Sequence, residues 1–316
     1  MTSKEKFIRA LNRQKVEGRV PHFELVFFLT MEAFGKLHPA HRNYYQWNQM
    51  SPKEQKLHIE DIAYVYVETA KRYGHSAIFV QSGADDYDFI SKVLESIRVM
   101  SGDEYFVMLH GDPTYSIPDG NHMLDFTAEL FEAPDKLKAE AAQRVEKFAG
   151  WSRKLEGSGL LDGFALCADY CFNTNPFFGP ELFDEFIKPY LKDIITEYRN
   201  QGYYVIKHTD GNIMPILDQM VSCGPHAIHS LDPQGGVDLG IVRDLVGDKV
   251  CLIGNVNCGL LQTGTDEECI ADIRRSLDDG MKSPGYIFST SNCIYTGLPL
   301  ERYELMLRIW NEYGVY

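Results

Sequence analysis

The chain has 316 residues, 44% of them hydrophobic and 24% charged, ordinary globular usage with enough apolar material for one large core. Lys and Arg number 31 against 45 Asp and Glu, a formal net charge of −14, which argues against nonspecific binding to nucleic acid or anionic membranes. No apolar run reaches the length of about 18 residues that a spanning helix needs, and seven cysteines without a CxxC pair read as reduced thiols of a cytoplasmic protein.

In chain order, MTSKEKFIRALNRQ reads as a charged amphipathic helix. An extended run follows at 20–28 (VPHFELVFF), then an irregular region at 30–50. A helix over 51–74 opens with Ser51-Pro52-Lys53-Glu54: an N-cap, Pro at the first helical position and Glu at the third. Further strand-like runs lie at 77–82, 105–111, 163–169, 204–211, 227–233, 250–256 and 286–293. Most are continuous apolar stretches that end in polar residues, as parallel strands buried on both faces do. Helical spacing recurs between them at 87–100, 134–156, 180–200, 212–222, 237–247 and 265–282, and again at 299–313, with a capping box at Thr265–Glu268. Eight strands alternating with helices predict an α/β fold, a (β/α)8 TIM barrel, formed as a single domain over 1–316.

Barrels of this kind place their chemistry at the C-terminal strand ends. Those ends carry Glu24, then Gln81, Asp85 and Asp86, His110 and Asp112, Asp169, His208 and Asp210, Asp232, Asn255 and Asn257, and finally Ser289, Ser291, Asn292 and Cys293. So polar a set points to an enzyme. Residues two apart on a strand share a side, so His208 and Asp210 can address one target. With Cys293 they form a set of competent zinc ligands. The spacing is equally met by a His bonded to a carbonyl, an Asp capping the next helix and a buried thiol. Tyr44, Tyr45, Trp47, Tyr170, Phe172, Phe177 and Phe178 are available either to line an apolar pocket or to pack under loops.

The stretches VIKHTDGNIMPILDQMVSCGPHAIHSLDP, VCLIGNVNCGLLQTGT and YIFSTSNCIYTGLPLERYELML, with the opening SKEKFIRALNRQKVEGRVPHFEL, together resemble the uroporphyrinogen decarboxylase superfamily. That resemblance implies a (β/α)8 barrel and leads to two branches. The porphyrinogen decarboxylases carry an Arg-rich substrate motif after the first strand, and here no Arg stands between Arg19 and Arg42. A substrate with eight carboxylates needs cationic partners, so the other branch fits better: corrinoid-dependent methyltransferases, similar to methylcobalamin:coenzyme M methyltransferases. In that branch zinc is held by a His-x-Cys pair after the fifth strand and a Cys after the eighth. His208 and Cys293 match those positions, and Asp210 departs from the Cys, making the site harder.

The resemblance therefore implies a zinc Lewis acid on His208, Asp210 and Cys293, with His208 and Asp210 catalytic. Glu24, Asp169, Asp232 and Asn255 are expected to bind substrate. A methyl group would move between a small O-, N- or S-methyl compound and a corrinoid carried by a partner protein. Two alternatives remain open at this point: a cofactor-free decarboxylase acting on a smaller carboxylate, and a noncatalytic ligand-binding barrel.

Overall fold

The computed structural model describes residues 1–43, 45–81 and 87–316. Seven strands form one sheet: β1 (Ala77–Val80), β2 (Phe106–His110), β3 (Gly163–Leu166), β4 (Tyr204–Thr209), β5 (Ala227–Ser230), β6 (Cys251–Ile253) and β7 (Tyr286–Ile287). They pair in sequential order, every pairing is parallel, and helices fill the connections. The result is an α/β fold whose sheet curls in the manner of a barrel. All seven strands lie inside runs predicted from the sequence.

The eighth predicted run, 20–28, is not a regular strand. His22 makes isolated parallel bridges both to His75, before β1, and to Phe288, after β7. Ser76 N donates to the His22 carbonyl at 2.7 Å and Phe23 N to the Phe288 carbonyl at 3.1 Å. The segment thus lies against both edges of the sheet. Pro21 has no N–H to give, which helps to keep its pairing local.

Alternation along the strands separates two cores. Phe79, Phe106, Met108, Ala165, Ile206, Ile253 and Ile287 fill the inside of the curl together with Phe23 and Leu25. Ile78, Val80, Val107, Leu109, Leu166, Val205 and Ile228 face the helices. Phe164 on that outer face stacks on Tyr198, ring centroids 4.0 Å apart.

The helix Pro52–Tyr73 starts as expected, with Ser51 accepting from Glu54 N, and ends at Gly74 with φ +68°. The expected capping box of Thr265 and Glu268 opens Asp266–Gly280. The predicted helix 180–200 is instead two, Pro180–Phe186 and Lys188–Asn200. It breaks at Ile187, just ahead of Lys188-Pro189, where a proline would interrupt the hydrogen-bond ladder. Among the described residues no helix is long and apolar enough to cross a membrane.

Candidate active site at the strand ends

The parallel register brings the site together. Leu166 of β3 is level with Lys207 of β4, and His208 of β4 is level with His229 of β5. Continuing that register by three residues sets Asp169 beside Asp210, one layer nearer the solvent than His208. The backbone joins them: Asp210 N donates to Asp169 Oδ1 at 3.3 Å. His208 Nε2 lies 3.7 Å from Asp210 Oδ1 and 3.9 Å from Asp169 Oδ1. The ligating atoms of Asp169, His208 and Asp210 all fall within 4.8 Å of one another. One imidazole nitrogen and two carboxylates at this spacing suit a divalent cation.

Asp210 and His208 are held from behind. Asp210 accepts from Ser230 Oγ at 2.9 Å and from Asn292 Nδ2 at 2.5 Å. Burial raises its pKa, and the neighbouring Asp169 and Asp232 carboxylates add to the rise against the opposing pull of His208. The His208 ring is 5% exposed, and its Nδ1 sits 2.7 Å from Nδ1 of His229. His229 is fully buried, which drives its pKa well below the usual imidazole value. A cavity of about 550 Å³ reaches the cluster at His208 and is otherwise lined by Leu25, Val26, Ala40, Phe79, Gln81, His110 and Cys167. That is a volume usual for small-molecule sites.

The other expected site residues lie elsewhere. Cys293 is not grouped with His208 and Asp210 as a third ligand; Asp169 takes that place. The cause is local: Asn292 turns its amide onto Asp210. Cys293 stays half-buried, with burial and the Asp210 and Glu24 charges pushing its thiol up to about 12. Glu24 is 3% exposed and accepts from Thr290 Oγ1 at 2.5 Å, so it belongs to the wall of the fold and not to the mouth. Asn255 is buried completely, donating to the Leu231 carbonyl at 2.8 Å and accepting from Arg275 at 3.0 Å. It fastens the end of β6. Asp232 caps the turn after β5 by accepting from Gln234 N at 2.9 Å. Of the aromatics, Tyr170 and Phe178 are core while Tyr45 and Phe172 are exposed. Tyr44, Asp85 and Asp86 lie outside the described residues.

Sequence reasoning missed two features. His229 was read only as part of a strand, although it shares the inward parity of His208. Lys207, on the opposite side of β4 from His208, is wholly buried; its Nζ donates to Asp112 Oδ2 and to the Ala168 carbonyl, both at 2.8 Å. It also lies 4.0 Å from the Tyr170 ring centre. Asp112 accepts as well from Thr114 Oγ1 at 2.5 Å and Ala168 N at 3.0 Å. Burial alone would raise the Asp112 pKa, but Lys207 and Thr114 outweigh it and hold it at about 2.

An inward-facing imidazole and carboxylate cluster thus stands at the C-terminal ends of a curled parallel sheet, the end at which barrel folds that are enzymes carry their chemistry. Residues 166–313 match the family model described as Uroporphyrinogen decarboxylase (URO-D), so this part of the chain is similar to that family. No curated protein sequence matches it. A methyltransferase from Methanosarcina mazei has the same fold, with a TM-score of 0.74 at 17% identity over 99% of both chains. A structure described as a vitamin-B12 independent methionine synthase, from Listeria monocytogenes, aligns with a TM-score of 0.53 at 16% identity, covering 95% of this chain and 98% of its own. A GH5_18 protein from Bifidobacterium longum subsp. infantis aligns at 0.52 and 10% identity, over 95% of this chain and 80% of its own. At such identities the likeness concerns the fold, which hosts unrelated chemistries.

Proposed function

We propose that this chain is a corrinoid-dependent methyltransferase that moves a methyl group between a small O-, N- or S-methyl compound and a corrinoid carried by a partner protein. It would act in the cytoplasm as one barrel domain over 1–316, closed by 20–28 as the eighth strand; the two-sided bridging of His22 supports that closure. The observation that carries the functional proposal is the convergence of Asp169, His208 and Asp210 at a cavity of about 550 Å³ that His208 lines, on a chain whose residues 166–313 match the URO-D family model.

The donor set fits a divalent metal, zinc first. Asp169, His208 and Asp210 would hold it, leaving a position open for a ligand from the cavity. Bound there, the ion would supply Lewis acidity toward the heteroatom that carries the methyl group. The chain's own residues do the rest. Ser230 and Asn292 orient Asp210 through its two oxygens, and Leu25, Val26 and Phe79 give the cavity an apolar wall that limits water around the transferring methyl group. Asp232, nearby after β5, accepts from the backbone of Gln234 and Gly211 and would orient substrate from that position.

The test is elemental analysis of purified protein beside His208→Ala and Asp169→Ala, followed by a screen of methyl donors with cob(I)alamin, read by its absorbance change on methylation. About one zinc per chain in the wild type, lost in both variants, with methylation by at least one donor, is the expected result. Full metal content in both variants, or no methylation from any O-, N- or S-methyl class, overturns the proposal.

A further inference from the structure

Two chemically different sets of side chains meet at the cavity. From β3 and β4 come Asp169, His208 and Asp210. From β1 and β2 come Gln81 and His110. Val80 of β1 is level with Leu109 of β2, so continuing that register by one residue sets Gln81 beside His110. Both share the inward parity of Phe79 and Met108, which fill the inside of the curl. Among the described residues, neither the Gln81 amide nor the His110 ring has a hydrogen-bond partner, and both line the cavity. The metal cluster makes no use of them.

The cavity is also without a cationic side chain. Among the described residues none of its lining is Lys or Arg, and Tyr44 and residues 82–86 (SGADD) include none either. The basic residues closest along the chain are engaged elsewhere. Lys207, on the opposite side of β4 from His208, is spent on Asp112 and the Ala168 carbonyl. Lys36 and Arg42, which flank Ala40, both pair with Asp61. An imidazole is mostly uncharged at neutral pH, and burial lowers the His110 pKa further, with Asp112 pulling the other way. An anionic substrate group would find no counter-charge from the chain, and burying an unpaired charge costs far more than burying a hydrogen-bonded neutral group.

We propose that His110 and Gln81 are specificity residues that hold a second polar group of the small molecule entering this cavity, an uncharged methyl donor with a hydroxyl or carbonyl oxygen apart from the atom that carries its methyl. An imidazole and an amide each offer a donor and an acceptor, which suits a hydroxyl that gives and receives at once. Leu25, Val26 and Phe79 offer the carbon skeleton an apolar wall. The inference rests on the methyl-transfer reading above, but its test involves neither corrinoid nor turnover, so the two can fail separately.

The test is calorimetric titration of the full chain at about pH 8, where an ordinary imidazole is neutral. The probes are three methoxybenzenes that differ in one group: para-methoxybenzyl alcohol, para-methylanisole and para-methoxybenzoate. The alcohol is expected to bind at least about 10-fold tighter than the other two, the worth of one or two hydrogen bonds. His110→Leu should bring the alcohol down to the affinity of para-methylanisole and leave para-methylanisole nearly unchanged, whereas mere loosening of the fold would weaken both alike. His110→Gln, which retains a donor and an acceptor, should keep most of the preference. Gln81→Met should act in the sense of His110→Leu, less strongly because Gln81 is exposed, and it serves if His110→Leu fails to fold.

Equal binding of the alcohol and para-methylanisole by the wild type, tighter binding of the benzoate, or no binding of any probe overturns the proposal. So does a preference for the alcohol that survives both His110→Leu and Gln81→Met. The expected preference in a protein that methylates no cob(I)alamin from any donor supports the role of His110 and Gln81 in ligand binding and defeats the methyltransferase reading instead. Methyl transfer from charged donors alone does the reverse.

Discussion

Replacing Asp112 by Asn keeps the side chain's size while removing the charge that faces the buried Lys207 ammonium at 2.8 Å. Two routes give the cost. Lowering the Asp112 pKa from 3.8 to about 2 corresponds to roughly 2 kcal/mol at about 1.4 kcal/mol per unit. Mutation costs more, about 3–5 kcal/mol, because it leaves an uncompensated charge in the interior and sets an amide N–H against existing donors. With an unfolding entropy of about 2.1 cal/mol/K per residue, or roughly 0.7 kcal/mol/K for this length, the Tm should fall by about 4–8 °C. Guanidinium and thermal unfolding, followed through the tryptophans, measure it. Acid behaviour gives a second readout. A depressed carboxyl pKa contributes stability that is full above the unfolded value and lost as pH falls from about 3.8 toward 2, so Asp112→Asn should lack that part of the acid limb. Asp112→Leu combined with Lys207→Met should recover most of the loss. A single variant costing under about 1 kcal/mol, with an unchanged acid limb, would refute the assignment of Lys207 and Asp112 as a paired, charged unit.

Cys293→Ser should leave metal content at the wild-type level, whereas Asp210→Asn should weaken cobalt binding at least about 10-fold with little change in Tm; spectrophotometric titration separates the two. Gly211→Ala should destabilise by about 2–4 kcal/mol, because Gly211 has φ +79° and a Cβ there would meet the carbonyls of Cys171 and Phe172 at 2.6 Å. The same change should disturb Asp210 and lower metal occupancy, measured on the refolded variant. Glu24 works in the opposite sense to Asp112. A raised carboxyl pKa gives stability that is full below the unfolded value and lost as pH rises, here between about 4.5 and 8. Denaturation midpoints across that window should therefore decline more steeply in the wild type than in Glu24→Gln.

The strands were legible because parallel strands buried on both faces read as near-continuous apolar runs, as 105–111 does. Helix starts were legible at the side-chain caps Ser51 and Thr265, though not at Asn257, which caps the unpredicted helix Cys258–Thr263. The helix Met123–Glu132 and the break at Ile187 were not; the first has no side-chain cap to announce it. At the site, His208, Asp210 and Asp169 could all be named from strand ends, because β3 and β4 carry them in regular register. Which residue would join His208 and Asp210 depended on how 289–293 turns, and tertiary contacts such as Asn292 to Asp210 decide that. His229 was hidden by its setting, an inward position that apolar residues usually fill. Its parity with His208 was the available signal.

Strand β4 carries an ammonium on one side and the imidazole of the site on the other, at adjacent positions 207 and 208. A slip of this strand by one residue would exchange them, sending Lys207 into the mouth and His208 in among the helices. Asp112, held by Thr114 and Ala168 on neighbouring segments, accepts Lys207 in one register only. The salt link therefore works as a keyway: it penalises misaligned versions of the strand, and so guards the placement of a candidate metal-binding cluster it never touches.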